Sequence, residues 1–376
     1  MAFDLRWLLL IIPAAFALGW LASRLDLRQA KRDPRDAPQS YFKGLNLLLN
    51  EQHDKAIDAF IEAVQHDPDT AELHFALGNL FRRRGETERA VRVHEHLLAR
   101  GDLPAAERAR AQHALAQDFF KAGLFDRAEA AYRALAGTAY ALESELALLS
   151  LYERSRDWAR AAEVAASLET RGAGSFATRR AQYLCELALA AKSSGNAEQA
   201  HALLNQATDL APGHARARVL AGQWALQAGD APAAMAAFEA LLVANPQAFN
   251  LVAQDYAQAA EAAGRQDDAI AALQARYAQE PALALLLAWN RLQPEHAAER
   301  LSAHLQRVPS LNAARQLLAL QGEPVAPGVM KAIDVAAKPL LRHRCAACGF
   351  EAAHYFWQCP GCLSWDSFPP RPVEEL

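Results

Sequence analysis

Small and aromatic residues recur in this chain at intervals of thirty-four, in a fixed order within each interval. Counting from Ala37, the eighth, twentieth, twenty-fourth, twenty-seventh and thirty-second positions hold Gly44, Ala56, Phe60, Ala63 and Pro68. The next interval holds Leu77, Gly78, Phe81, Gly85 and Ala90. A third, after a short insertion, holds Phe119, Gly123, Ala128 and Tyr132, and a fourth holds Tyr152, Trp158 and Ala161. Then come Gly195, Ala200, Ala207 and Pro212; Gly222, Gly229, Ala234, Phe238 and Pro246; and Gly264, Ala269 and Pro281. From 283 to 320 the pattern decays, as a terminal repeat should, although Pro309 and a leucine periodicity mark one more helical pair.

Each residue type has a mechanical reason. Small side chains at the eighth and twentieth positions let two helices approach closely, and the aromatic four positions later fills the space that remains. The late proline stops the second helix and sets the turn into the next repeat. This is the tetratricopeptide (TPR) pattern, and it predicts an all-α superhelix of antiparallel helix pairs. First helices line its concave face, which is an extended binding surface.

The second constraint is at the C-terminal end. Four of the five cysteines, Cys345, Cys348, Cys359 and Cys362, form two CxxC pairs. Two such turns bring four thiolates onto one tetrahedral ion. Gly349 follows the first pair, where a tight turn favours positive φ, and Pro360 and Gly361 lie inside the second. A tail this short also needs a metal or disulfides to hold a core. Two disulfides would need an oxidising compartment, and a redox dithiol would need a βαβ context that is absent. The expected ligands are therefore Cys345, Cys348, Cys359 and Cys362, around one metal ion. The aromatics Tyr355, Phe356, Trp357 and Trp365 are too many for so small a module to bury, so some are expected to pack against the last helical repeats.

The N-terminus differs in kind. Trp7 to Ala22 carries no charge, has tryptophans near both ends, and with its flanks reaches the length of a spanning helix. Ala15-Phe16-Ala17 resembles a signal-peptidase site. Against cleavage, Arg24, Arg28, Lys31, Arg32 and Arg35 follow the apolar run, and the basic side stays cytoplasmic. The expectation is an uncleaved single-pass membrane anchor with the bulk of the chain in the cytoplasm. A reducing cytoplasm agrees with free thiolates. The net charge of −4, with no basic stripe, argues against nucleic acid as a partner.

No HExxH, P-loop, GxSxG or Rossmann fingerprint is present, so no catalytic residue and no organic cofactor is expected. His94 and His96 lie two apart and face different sides of a helix. Cys185, in an apolar run, reads as a small core residue. Arg82-Arg83-Arg84, Asp267-Asp268 and Glu374-Glu375 read as solvated charge. Asn79 and Arg82 project from a first helix and are candidates for client contact.

These features divide the chain into an anchor (1–25), a juxtamembrane linker (26–36), a TPR array (37–320), a second linker (321–338) and a metal-binding module (339–376). The combination resembles the lipopolysaccharide assembly protein B family over essentially the whole chain. Its most specific stretches are HRCAACGF, YFWQCPGC and LSW, with LGNLFRRRGE, AGLFDRAEAAY and CELAL in the repeats. The resemblance implies an inner-membrane protein and a rubredoxin-like module in which Cys345, Cys348, Cys359 and Cys362 hold one iron (rubredoxin-type) or zinc ion. It also implies a non-enzymatic adaptor that brings the lipid A deacetylase LpxC to the membrane protease FtsH, regulating lipopolysaccharide synthesis. Other lipopolysaccharide synthesis or regulatory membrane proteins are further implied partners. The alternative is a scaffold that gathers envelope enzymes at the inner membrane without a proteolytic role. A third class, electron transfer, would follow from iron with an exposed edge.

Overall fold

The computed structural model describes residues 36–321 and 326–376. The proposed anchor, Trp7 to Ala22, lies outside them. Among the described residues no helix is long and apolar enough to cross a membrane.

Helices dominate, in two compact units that meet in sequence between Leu151 and Tyr152. The first holds α1 (Asp36–Leu49), α2 (His53–His66), α3 (Ala71–Arg84), α4 (Thr87–Ala99), α5 (Ala105–Lys121), α6 (Phe125–Arg133) and most of α7 (Ala141–Ser155). Successive helices pack as hairpins, α1 on α2, α3 on α4 and α5 on α6. The pattern works as its spacing predicts. A Cβ on Gly44 would come 2.8 Å from the Phe60 ring, so only glycine lets α1 lie this close to α2.

The second hairpin holds a variation. His94 stands thirty-four residues after Phe60, in the aromatic's place, and its ring faces Gly78 at a distance that leaves no room for a Cβ (2.5 Å). His94 is fully buried, and its Nδ1 lies 2.5 Å from Oδ2 of Asp118, also fully buried. Arg82 donates to the other carboxylate oxygen at 2.9 Å and to Asn79 Oδ1 at 2.6 Å. A buried carboxylate needs partners of this kind. Arg82 and Asn79, the candidates for client contact, are thus bonded to each other, half-buried, with Arg82 also holding Asp118.

The second unit continues with α8 (Trp158–Thr170), α9 (Ala177–Ser193), α10 (Ala197–Leu210), α11 (Arg216–Gln227) and α12 (Ala231–Ala244). A 3₁₀ turn (Ala248–Val252) leads into α13 (Ala253–Ala263), α14 (Gln266–Gln279), α15 (Leu283–Leu292), α16 (Ala297–Arg307) and α17 (Leu311–Gln321). Gly229 takes φ +81° to end α11, and Asp230 then caps α12 by accepting from the Ala233 amide at 3.0 Å. Pro212 and Pro246 follow the ends of α10 and α12 as expected. The core here is continuous, with Phe238, Phe249, Tyr256, Leu273 and Leu285 all buried.

The stretch read as a linker, 321–338, contains α18 (Pro327–Ala337). Proline at the first helical turn starts it, since its missing N–H is not needed there. Arg315 of α17 pairs with Asp334 across the two helices at 2.5 Å.

Candidate metal centre and its seat on the repeats

After a 3₁₀ turn (Lys338–Leu341), strands β1 (His343–Arg344) and β2 (Glu351–Ala352) pair antiparallel, with Arg344 opposite Glu351. Between them lies the first cysteine turn. Cys345 N donates to Phe350 O at 2.9 Å, and Gly349 N donates back to Cys345 O at 2.9 Å. The second turn repeats this scheme: Cys359 N to Ser364 O at 2.9 Å, and Leu363 N to Cys359 O at 2.8 Å. The fifth residue of each turn needs a left-handed backbone. Gly349 supplies it at φ +76°, while in the second turn a leucine, Leu363, is held at φ +61°.

The four sulfurs lie within 4.8 Å of one another. Cys345 and Cys362 are 3.8 Å apart, and Cys348 and Cys359 are 3.7 Å apart. Metal–sulfur bonds of about 2.3 Å at tetrahedral angles give sulfur separations of about 3.8 Å. A disulfide needs about 2.05 Å, and all four thiols are free. The donor set thus fits one tetrahedral ion. Burial opposes ionisation of Cys345, but Ser367 and the amides of Cys348 and Ala347 outweigh it and bring its thiol down to about 6. Phe350's amide favours the Cys348 thiolate, yet burial and the neighbouring sulfurs push that thiol up to about 12. Four thiolates in one small volume repel, and a cation between them removes the conflict.

The module's own core is small: Cys345, Cys359 and Phe368, flanked by Ala352 and Tyr355. The rest of its apolar surface is spent on the array. Trp365 meets Trp158 and Tyr183 edge-on, at 5.7 and 6.1 Å, and donates its indole N–H to Glu153 at 3.2 Å. Asp366 accepts from Gln182 at 2.6 Å, and Gln182 in turn accepts from Arg216 at 3.0 Å. Trp357 packs on the core formed by α11 to α15. The expected packing of tail aromatics on helices is present, but it reaches back to α8 and α9 instead of stopping at the last repeats. The contacts fall on Glu153 of α7, Trp158 at the start of α8, and Gln182 and Tyr183 of α9.

Glu374 and Glu375, read as solvated, are the opposite. Glu374 accepts from the Leu311 and Asn312 amides at 2.5 and 3.1 Å and from Ser310 Oγ at 2.9 Å, at the start of α17. Glu375 accepts from the Leu283 amide at 2.9 Å, at the start of α15. The reason is the unpaired N–H groups and positive dipole of a helix N-terminus, which attract a carboxylate. Burial raises the Glu375 carboxyl, against the Leu283 amide and Arg371. Cys185 is fully buried, and desolvation pushes its thiol up to about 12, as suits a core residue.

A family profile described as rubredoxin metal binding domain matches residues 343–370, and one described as tetratricopeptide repeat matches 43–93 and 185–249. Lipopolysaccharide assembly protein B of Escherichia coli (strain K12) is 29% identical over 97% of this chain and 98% of its own. The protein of the same name from Haemophilus influenzae is also 29% identical, over 98% of each chain. The likeness to lipopolysaccharide assembly protein B thus runs through the whole chain. Among solved structures, a chain in the structure of Naa15/Naa10 bound to HypK-THB is similar at 17% identity and a TM-score of 0.40, covering 81% of this chain and 46% of that one.

Proposed function

We propose that this chain is a membrane-anchored, non-catalytic adaptor that limits lipopolysaccharide synthesis by presenting the lipid A deacetylase LpxC to the protease FtsH. The observation that carries the reading is the end-to-end similarity to proteins named for lipopolysaccharide assembly. The repeat fold supports it, since such arrays present first-helix faces to protein partners.

In this reading residues 1–25 hold the chain at the inner membrane and 26–36 link the anchor to a cytoplasmic array, 37–320. Residues 321–338 join the array to the module, 339–376. Confinement to the membrane raises the effective concentration of protease and client. Cys345, Cys348, Cys359 and Cys362 hold one iron or zinc ion. The ion supplies a structural crosslink, because four protein thiolates leave no open coordination position.

Deletion should lengthen the lifetime of LpxC and raise lipopolysaccharide. Unchanged deacetylase turnover in cells lacking the chain overturns the proteolytic role. The relatives' name, which speaks of assembly, favours a second reading: a scaffold that gathers synthesis enzymes without a protease. Retrieval of synthesis enzymes from membranes, unaffected by inactivating FtsH, would select it.

A further inference from the structure

Where the module meets the array it leaves a cavity of about 460 Å³, within the size range of ligand sites. Its walls include Gln223, Asn250, His343, Tyr355, Trp357 and Glu375. Asn250 is the decisive residue. It is 7% exposed, and neither its side-chain oxygen nor its side-chain nitrogen has a partner. Leaving such groups buried and unpaired is costly, whereas an apolar side chain of the same shape would be neutral or stabilising. A planar amide offering one donor edge and one acceptor is complementary to another amide, such as a peptide main chain.

Charge specifies more. No lysine or arginine lines the cavity, and Glu375 brings a carboxylate. The rings of Tyr355 and Trp357, both lining it, stand edge to face, 5.0 Å apart. Aromatic faces beside a carboxylate suit a cation and repel an anion. Tyr355 and Trp357 also line a second cavity, of about 480 Å³. It is lined by Asp366 and by His214, whose buried Nδ1 is unpartnered, and again by no lysine or arginine.

We propose that the Asn250 cavity binds a short extended peptide carrying a basic side chain. Asn250 pairs with a main-chain amide of the peptide, and Glu375 faces the cation beside Tyr355 and Trp357. The inference rests on the adaptor reading only for the source of that peptide, a protein client.

The test uses full-length protein and two capped tripeptides, Ala-Arg-Ala and Ala-Glu-Ala, titrated while chemical shifts of the tryptophan indoles are followed. The arginine peptide should bind, and the glutamate peptide at least about tenfold more weakly. Asn250→Leu should melt at or above the parent's temperature yet lose about tenfold or more in affinity for the arginine peptide. Glu375→Gln, which keeps the acceptor for Leu283, should narrow the preference between the two peptides. No binding of the arginine peptide at millimolar concentration overturns the proposal. So does equal affinity for both peptides, or undiminished binding by Asn250→Leu. Deacetylase lifetime, measured separately in cells, keeps the two claims apart: a dependence on the chain without tripeptide binding removes the cavity proposal and leaves the adaptor standing.

Discussion

The helical repeats and the four-cysteine module solve the same problem by different means. In the second unit's repeats, Phe238, Phe249, Tyr256, Leu273 and Leu285 are enclosed by neighbouring helices, and each hairpin adds to a continuous core. The module encloses only Cys345, Cys359 and Phe368. Its tryptophans go outward, to Trp158, Tyr183 and the α11–α15 core. A repeat array derives order from its own burial, whereas the module depends on a metal from within and on the array from outside.

The strongest way to break that contrast is to remove the ion. Cys359→Ser should abolish stoichiometric iron or zinc and unfold the tail, since structural zinc contributes roughly 10–16 kcal/mol of apparent binding free energy in small modules. The helical signal at 222 nm should fall little, because the repeats keep their core. Metal analysis and limited proteolysis read both halves of the expectation. A helical array that melts together with the tail would show that the two regions are one cooperative unit.

A milder change separates the metal from the docking. Trp365→Ala removes the edge-on contacts with Trp158 and Tyr183 and the hydrogen bond to Glu153. We expect a loss of about 2 kcal/mol, since the ring is only partly buried. The ion should stay bound while cleavage around α18 speeds up. Loss of the ion in this variant would mean that docking organises the cysteines, and the contrast would need reversing.

How much of this was legible beforehand follows the range of each interaction. The thirty-four-residue period exposes the Gly44–Phe60 packing because both partners lie within one repeat. The cysteine turns are legible for the same reason: Gly349 and the two CxxC pairs are local. His94 was legible in principle, since it stands thirty-four residues after Phe60, but its partner Asp118 lies in the next repeat and carries no mark of its own. Arg82 shares that carboxylate, and this second link to the next repeat is equally unmarked in the sequence. Glu153 and Trp365 are further apart still, and no periodicity links a solenoid helix to a metal knuckle. Glu374 and Glu375 were misread because adjacent acidic residues near a chain end are usually solvated. Only the fold brings two helix N-termini to them.

The attachment of the tail should respond to pH. Arg371 of the tail forms an ion pair with Glu280 at the end of α14, and Arg276 holds the same carboxylate at 2.5 Å. The hydrogen bond from Arg276, with the charge of Arg371, keeps the Glu280 carboxyl below its ordinary value of 4.5. A depressed carboxyl stabilises the folded state in full above the unfolded value, and that stability is lost as pH falls through the folded one. The part of the tail's protection from proteolysis that Glu280 supplies should therefore be constant from pH 7 down to about 5 and weaken below about 4.5. In Glu280→Gln the weakening should be smaller over that window. Identical acid profiles for parent and variant would exclude this pair as the sensitive contact.

The smallest effect lies within the module, between two turns that share one backbone scheme. Leu363 is held at φ +61°, where a side chain costs roughly 1–2 kcal/mol, while the equivalent Gly349 at φ +76° bears no such strain. Leu363 is 39% exposed, so trimming it forfeits little burial. Glycine also gains freedom in the unfolded chain, which offsets part of the relief by about 0.5–1 kcal/mol. Leu363→Gly should thus stabilise the module by less than about 1 kcal/mol. Gly349→Ala, at a position with open space around its Cβ but a left-handed backbone, should destabilise it by about 1 kcal/mol. Competition of each variant against a chelator, compared with the parent, reads the two shifts. Shifts of opposite sign place the strain in the backbone of the second turn; a loss of affinity in both variants would show that the Leu363 side chain contributes contacts worth more than its strain.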